Sequence, residues 1–323
     1  MIRIGILGCS EIAFRRFMPA LKEVSDICAV SVAEEYAPAK LDDFCKTYSI
    51  EGMTSFEQLL RRDDIDAIYV PQPPALHYMW VMKALAASKH VLVEKPSTTC
   101  FSDSQKLVET AMANNLALHE NYMFKYHSQI SEIKKIIASG ELGELRLIRA
   151  NFGFPMRAQN DFRYNKALGG GALLDAGGYT VKLATELLGP TIKAKTAQLC
   201  GKDGYEVDMF GNASFSNADG LVCQVGFGMD CQYMCSLEVW GSVGRLFTNR
   251  IFTAPVGFKP TVLIENGSEK KELVLSEDSS FANSIEAFKE EVTNPDKRPD
   301  MYKEILLQAS LVDQLRTIGT KER

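Results

Sequence analysis

Over its first 120 residues the chain alternates short apolar runs with segments of helical periodicity, and no other feature limits its fold so strongly. The runs are Ile2–Leu7, Ile27–Ala33, Ala67–Val70 and His90–Val93. The spacing predicts helices over Glu11–Val24, Ala37–Tyr48, Phe56–Arg61, His77–Ala87 and Ser102–Asn114, the last capped by Ser102. In the first of these, Ile12, Phe14, Phe17, Met18 and Leu21 fall on the inner face. Parallel strands need a crossover between them, usually a helix, so the pattern specifies an α/β doubly wound parallel sheet of Rossmann type. Such a sheet binds its ligands beyond the carboxyl ends of its strands.

The texture changes after Leu118. A helix over Ser128–Ser139 ends at Gly140, and strands then dominate at Leu145–Phe152, Ile192–Leu199, Asn212–Phe215, Gly220–Phe227, Met234–Trp240, Gly244–Thr248 and Thr261–Glu265. Their period-two alternation with one polar face implies a large, mostly antiparallel open sheet. A helix over Leu173–Leu188 interrupts it, and helices over Ser280–Thr293 and Met301–Ile318 end the pattern. With 323 residues, two domains are expected: a dinucleotide-binding one over 1–120 and an α+β one over 121–323.

Basic residues number 36 against 41 acidic, a net charge of −5, which offers no attraction for nucleic acid or an anionic membrane. No apolar run approaches the roughly 18 residues of a membrane span, and Met1 leads into the first strand without a basic leader, so a cytoplasmic protein with a small-molecule partner is expected. The eight cysteines form no C-x-x-C pair and only four histidines occur, so neither a disulfide framework nor a metal site is indicated.

Gly8-Cys9-Ser10-Glu11-Ile12-Ala13 follows the first strand, where a Rossmann fold turns backbone N–H groups toward a pyrophosphate. Ser10 stands where the second glycine of the fingerprint is expected, and Ala13 takes the third. Glu34 and Glu35, after the second strand, are spaced to accept from the adenosine ribose and would repel a 2′-phosphate, which favours NAD over NADP; Arg15, Arg16 and Lys40 lie near enough in sequence to reverse that preference. Val91-Leu92-Val93-Glu94-Lys95-Pro96 places Lys95 past the end of a strand, able to bond a reacting oxygen. Gly169-Gly170-Gly171 leads into a helix on which Asp175 and Tyr179, four apart, share one face, offering a carboxylate and a phenol as an acid–base arrangement.

Together, Glu94-Lys95-Pro96, the glycine-rich loop with its Asp-x-x-x-Tyr, the N-terminal fingerprint and Ser139-Gly140-Glu141-Leu142-Gly143 resemble the glucose-fructose oxidoreductase / inositol dehydrogenase / MocA family over nearly the whole chain. The resemblance implies an oxidoreductase using NAD or NADP, with Lys95 catalytic. It also implies a second domain whose open sheet forms a homodimer or homotetramer. Cofactor contacts then fall to the Gly8–Ala13 loop, Glu34, Pro71, Pro73, His77, Glu94 and Lys95. The inositol dehydrogenase branch has His where this chain has Tyr179. Tyrosine there, with Val70-Pro71-Gln72-Pro73, Glu120-Asn121-Tyr122-Met123-Phe124 and Phe162-Arg163-Tyr164, is similar to the sugar-nucleotide C-3 ketoreductases, which favour NADPH.

The activity implied is hydride transfer between a nicotinamide and a sugar-like keto group, free or nucleotide-linked. Tyr179 would protonate the alkoxide, Lys95 would lower the tyrosine's pKa, and Asp175 would complete the catalytic set. Asn121, Arg163, Tyr164, Asp175 and Tyr179 are expected around the substrate. Arg163 either grips a phosphate or pairs with Asp161 or another carboxylate. The alternatives are a dehydrogenase of free sugars, polyols or cyclic diols, and a non-catalytic cofactor-binding regulator.

Overall fold

The apolar runs at the amino end become strands of a six-stranded parallel sheet. In chain order its elements are β1 (Ile2–Leu7), α1 (Met18–Leu21), β2 (Ile27–Ala33), α2 (Pro38–Tyr48), β3 (Glu51–Met53), α3 (Phe56–Leu60), β4 (Ala67–Val70), α4 (Pro74–Ala86), β5 (His90–Glu94), α5 (Phe101–Ala113) and β6 (Leu118–Asn121). The strand order β3-β2-β1-β4-β5-β6 is that of a doubly wound nucleotide-binding sheet. β1 sits centrally, with Ile4 paired to Ala29 on one side and Ala67 on the other. Ile4, Ile6, Ile68, Val91 and Val93 are fully buried, each contributing about 1.5–3 kcal/mol. Phe17 stacks on Tyr69 at 3.8 Å between ring centres.

Two strands were not expected from the sequence. β3 is three residues long with none of them buried, so it has no apolar signature. β6 is Leu-His-Glu-Asn, polar in composition yet wholly buried. The first helix also differs from expectation: it passes through a wide π-type turn at Ala13–Phe17 and closes at Leu21. α4 starts three residues earlier than expected because Pro74, lacking an N–H, fits the first helical position. α5 begins at Phe101 with Cys100, not Ser102, at its cap.

The second sheet has nine strands in the order β14-β13-β12-β11-β7-β10-β9-β8-β15. Around it lie α6 (Ser128–Ala138), β7 (Leu145–Gly153), α7 (Gly178–Leu188), β8 (Lys193–Cys200), β9 (Phe210–Ser216), β10 (Val222–Gly228), β11 (Met234–Gly241), β12 (Gly244–Asn249), β13 (Thr261–Asn266) and β14 (Glu269–Val274). Pairing is antiparallel except between β7 and β10 and between β8 and β15 (Thr320–Glu322). α7 packs on one face, against β7 and β10. The other face is open. Ile148, Val225, Val239 and Leu246 point inward while Arg149, Gln224, Trp240 and Phe247 point out, the alternation that marks a sheet covered on one side. β14 was not expected, since Glu-Lys-Lys-Glu at its start has no apolar face.

Two helices follow, α8 (Ser280–Thr293) and α9 (Arg298–Ile318), the latter starting three residues before the expected Met301. In this computed structural model, which describes residues 1–322 with side chains through Gly319, the chain divides into two units. One comprises Met1–Asn121 with Phe281–Leu306, the other Tyr122–Ser280 with the chain from Leu307 onward. Ala282, Ile285 and Phe288 of α8 enter the core that contains Ile2, Leu21 and Leu92. Among the described residues no helix is long and apolar enough to cross a membrane, and no group of three or more His, Cys, Asp or Glu side chains is placed to hold a metal.

Candidate active site

In the first unit, the candidate residues gather at the carboxyl ends of β1, β2, β4 and β5. Gly8 takes a φ of +110°, a conformation open to glycine, and a Cβ there would run into the side-chain amide of Gln72. That amide donates to the Leu7 carbonyl and so ties the loop after β4 to the end of β1. Ser10, in place of the second glycine, acts as a helix cap: its Oγ accepts from Ala13 N at 3.2 Å. Burial, reinforced by Glu34, pushes the Cys9 thiol up to about 12, so it stays an unreactive thiol.

Glu34 does not extend outward as its spacing suggested. Its Oε2 accepts from Cys9 N at 2.8 Å, and its Oε1 accepts from Tyr36 N at 2.9 Å and Ala37 N at 3.2 Å. The carboxylate thus braces the glycine loop against the turn after β2. Glu35 accepts from Phe56 N at 2.7 Å. Arg15, Arg16, Tyr36 and Lys40 are exposed nearby in the chain. With Cys9 N and Ala13 N engaged, Ser10, Glu11 and Ile12 supply the N–H groups at the opening of the helix, where an anion is favoured.

Pro71 is buried, and Pro73 caps α4. His77 in the first turn of α4 is fully buried, with Nδ1 2.8 Å from Pro96 O and Nε2 2.6 Å from Gln72 O. Burial lowers its pKa to about 4 against the pull of both carbonyls, and the two contacts tie the Lys95–Pro96 segment to the loop after β4. The Lys95–Pro96 bond is cis. Glu94 Oε1 accepts from Tyr69 OH and from Asn121 Nδ2, both at 2.7 Å. Burial raises the Glu94 pKa, while these two bonds and Lys95 oppose the rise. Asn121, expected at the substrate, therefore has its amide in a buried network with Glu94.

In the second unit the glycine loop opens α7 through a π-type turn, Leu173–Gly177, so the helix foreseen over Leu173–Leu188 is not uniform. Wide turns of this kind recur at functional sites. Asp175 lies in that turn, and its Oδ2 accepts from Arg163 Nε at 2.6 Å. Arg163 also reaches Asp161 Oδ1 at 3.1 Å. Burial works against the guanidinium charge, but Asp175 and Asp161 outweigh it and hold its pKa above the ordinary value. Of the two roles open to Arg163, pairing with carboxylates is the one observed. Tyr164 is buried, and its hydroxyl accepts from Arg157 N at 2.7 Å.

Tyr179 stands among aromatic rings. Phe152, Tyr122, Phe124 and Phe252 have ring centres 5.2, 5.5, 5.8 and 5.9 Å from its own. Its hydroxyl lies 3.9 Å from the Met123 sulfur. Lys182, one turn on, is 2% exposed. His127 is buried at the start of α6, where Nδ1 accepts from Gln129 N at 3.1 Å.

A doubly wound sheet with a glycine loop after its first strand and a lysine past its fifth defines a nicotinamide-dependent oxidoreductase. The model described as "Oxidoreductase family, NAD-binding Rossmann fold" matches residues 2–122, and the GFO/IDH/MocA C-terminal domain matches 130–247. This chain belongs to the Gfo/Idh/MocA oxidoreductase family. It is 38% identical to a dTDP-3,4-didehydro-2,6-dideoxy-alpha-D-glucose 3-reductase from Saccharopolyspora spinosa, over 97% of this chain and 96% of that one. It is also 38% identical to the enzyme of the same name from Actinomadura kijaniata, over 98% and 95%. A crystal structure of a 3-ketoreductase from A. kijaniata in complex with NADP and TDP-benzene superposes with a TM-score of 0.96 at 37% identity, covering 99% of this chain and 98% of that one.

Proposed function

We propose that this oxidoreductase reduces a keto group on a nucleotide-linked sugar, with Tyr179 delivering the proton and Lys95 assisting at the same oxygen. The whole-length similarity to enzymes named as 3-reductases of a dTDP-linked keto sugar carries this reading. The nicotinamide supplies the hydride when bound. A phenol with an ordinary pKa near 10 gives up its proton at neutral pH only when a cation favours the phenolate, and Lys95 supplies that cation. The aromatic rings around Tyr179 restrict its rotation. Asp175, whose Oδ2 accepts from Arg163, fixes that guanidinium in place rather than donating a proton.

The cofactor is NADP on this reading. Glu34, the residue that would repel a 2′-phosphate, spends its carboxylate on three backbone N–H groups, while Arg15, Arg16 and Lys40 are exposed. The A. kijaniata enzyme carries NADP. The region 1–120 binds the cofactor, the region 121–323 binds the sugar, and the open face of the second sheet joins subunits into a homodimer or homotetramer in the cytoplasm.

Tyr179→Phe tests the mechanism. Turnover should fall by about 100-fold or more while NADPH affinity is retained, and near-normal turnover would remove the phenol from the reaction. The engagement of Arg163 with Asp161 and Asp175 takes away one candidate phosphate grip and favours a second reading, a dehydrogenase of free sugars or diols. Comparable turnover of a free keto sugar and its dTDP-linked form would support that alternative.

A further inference from the structure

With Arg163 engaged by two carboxylates, the diphosphate of a nucleotide-linked sugar loses its expected grip, and the second sheet offers another. Phe152 of β7 and Cys235 of β11 are register partners, both buried on the face that α7 covers. Successive residues of a strand alternate faces, so Phe154 and Tyr233, each two positions away, return to that face. Their contacts agree. Phe154 packs on Phe152 with ring centres 5.8 Å apart, and Thr253 Oγ1 lies 3.6 Å from Cys235 Sγ and 2.6 Å from Tyr233 OH. Tyr179 packs on the same surroundings, 5.2 Å from the Phe152 ring and 5.9 Å from that of Phe252, the residue before Thr253.

Each of the two outer rings carries a guanidinium. Arg157 Cζ lies 5.4 Å from the centre of Phe154, and Arg250 Cζ lies 4.7 Å from the centre of Tyr233. Stacking fixes the plane of the group and leaves its N–H edge open, the arrangement in which arginine binds a phosphate through two parallel bonds. Tyr233 holds Arg250 a second way, its hydroxyl accepting from Nη1 at 3.0 Å. Arg250 takes a φ of +59°, a region that a residue other than glycine enters at a cost and that recurs at ligand clamps.

Neither guanidinium meets a carboxylate among the described residues. The other described arginines of this unit, Arg146, Arg149, Arg163, Arg245 and Arg316, each do. The acids nearest to Phe154 and Tyr233 in the chain, Asp161 and Asp230, are engaged by Arg163 and by Lys202, the latter at 3.0 Å. Two cations without counter-charges are thus set on one face of the sheet, each on an aromatic ring and each one neighbour removed from the rings around Tyr179.

We infer that Arg157 and Arg250 clamp the diphosphate of the substrate, whose sugar reaches past Phe152 to Tyr179. This rests on the reading of the substrate as a nucleotide-linked sugar. It places the anionic part of such a molecule and its keto group at opposite ends of one aromatic surface.

The test uses the full chain, with dTDP and thymidine as probes because they differ only by the diphosphate. In titration calorimetry with NADP present, Arg157→Met and Arg250→Met should each weaken dTDP binding about tenfold, and the double variant further, while the affinity for thymidine is unchanged. The KM for a dTDP-linked keto sugar should rise by a similar factor with kcat little altered, because the clamp holds ground state and transition state alike. Both side chains are exposed, so melting temperatures should stay at the parent's value. Variants that bind dTDP as the parent does would overturn the clamp and leave the nucleotide-linked reading standing. An equal loss of affinity for NADPH, also an anion, would mark a general effect of charge and overturn the clamp too. A parent that ignores dTDP and turns over free keto sugars would sink the reading and the clamp together.

Discussion

Replacing Arg163 by Met removes a guanidinium that two carboxylates share. Its side chain is 19% exposed, and those of Asp175 and Asp161 are 12% and 17% exposed, so none of the three is well solvated. Met preserves most of the volume, and what remains is a pair of desolvated anions with no cation between them. Removing one partner of a buried ion pair costs about 3–5 kcal/mol, and the residual solvent access of this trio places the expectation near the lower end, at about 3 kcal/mol. Urea unfolding of Arg163→Met, Asp175→Asn and the double variant would measure both the loss and the coupling. The double variant should recover part of the loss, with a coupling of about 1.5 kcal/mol or more, because Asn at 175 no longer needs a cation. A loss below about 1 kcal/mol for Arg163→Met would show that the carboxylates do not depend on it. Such a result would return Arg163 to the role of substrate anchor.

Stability should fall on acidification through a window set by the buried histidines. His77 and His90 both have folded pKa values lowered to about 4 from 6.5, chiefly by burial. Between those values the unfolded chain binds more protons than the folded one, so unfolding becomes easier as pH drops below 6.5, and the loss is complete near pH 4. For His77 it amounts to roughly 3 kcal/mol, readable as a shift in urea midpoint that His77→Gln should reduce. Gly8→Ala should weaken NADPH binding and destabilise the protein by about 1–2 kcal/mol, from the φ of +110° and the contact with Gln72, as thermal shift with and without cofactor would show. Ser10→Ala should cost about 1 kcal/mol in thermal stability through the lost cap, and no change would mean the cap is not stabilising.

Sequence patterns revealed the elements whose burial is apolar and the residues whose chemistry is tied to a strand end. β1, β2, β4 and β5 are such runs, and Lys95 follows from where β5 stops. Glu34 sat at the right distance for a ribose, but spacing along a chain does not say which way a side chain turns. The N–H groups of Cys9, Tyr36 and Ala37 captured its carboxylate first. For Arg163 the sequence left a phosphate or a carboxylate open, and the structure supplies two carboxylates, one of them Asp175 of the expected catalytic set.

β6 was illegible for a different reason. Leu-His-Glu-Asn is a strand only because α8, arriving more than 160 residues later, brings Ser284 and Glu291 to its side chains. A buried histidine and asparagine with no partners would cost several kcal/mol, so β6 and α8 depend on each other, and neither segment alone signals the pairing. The same dependence explains why polar groups occupy this position at the last strand of the sheet. An apolar strand would pack there at less risk, but it would offer no acceptor to Ser284 and no donor to Glu94. Substituting His119 and Glu291 together by Leu and Met tests that dependence: such a variant should retain its melting temperature within a few degrees, whereas His119→Leu alone should lower it well beyond that, and equal losses would show that the two residues do not depend on each other.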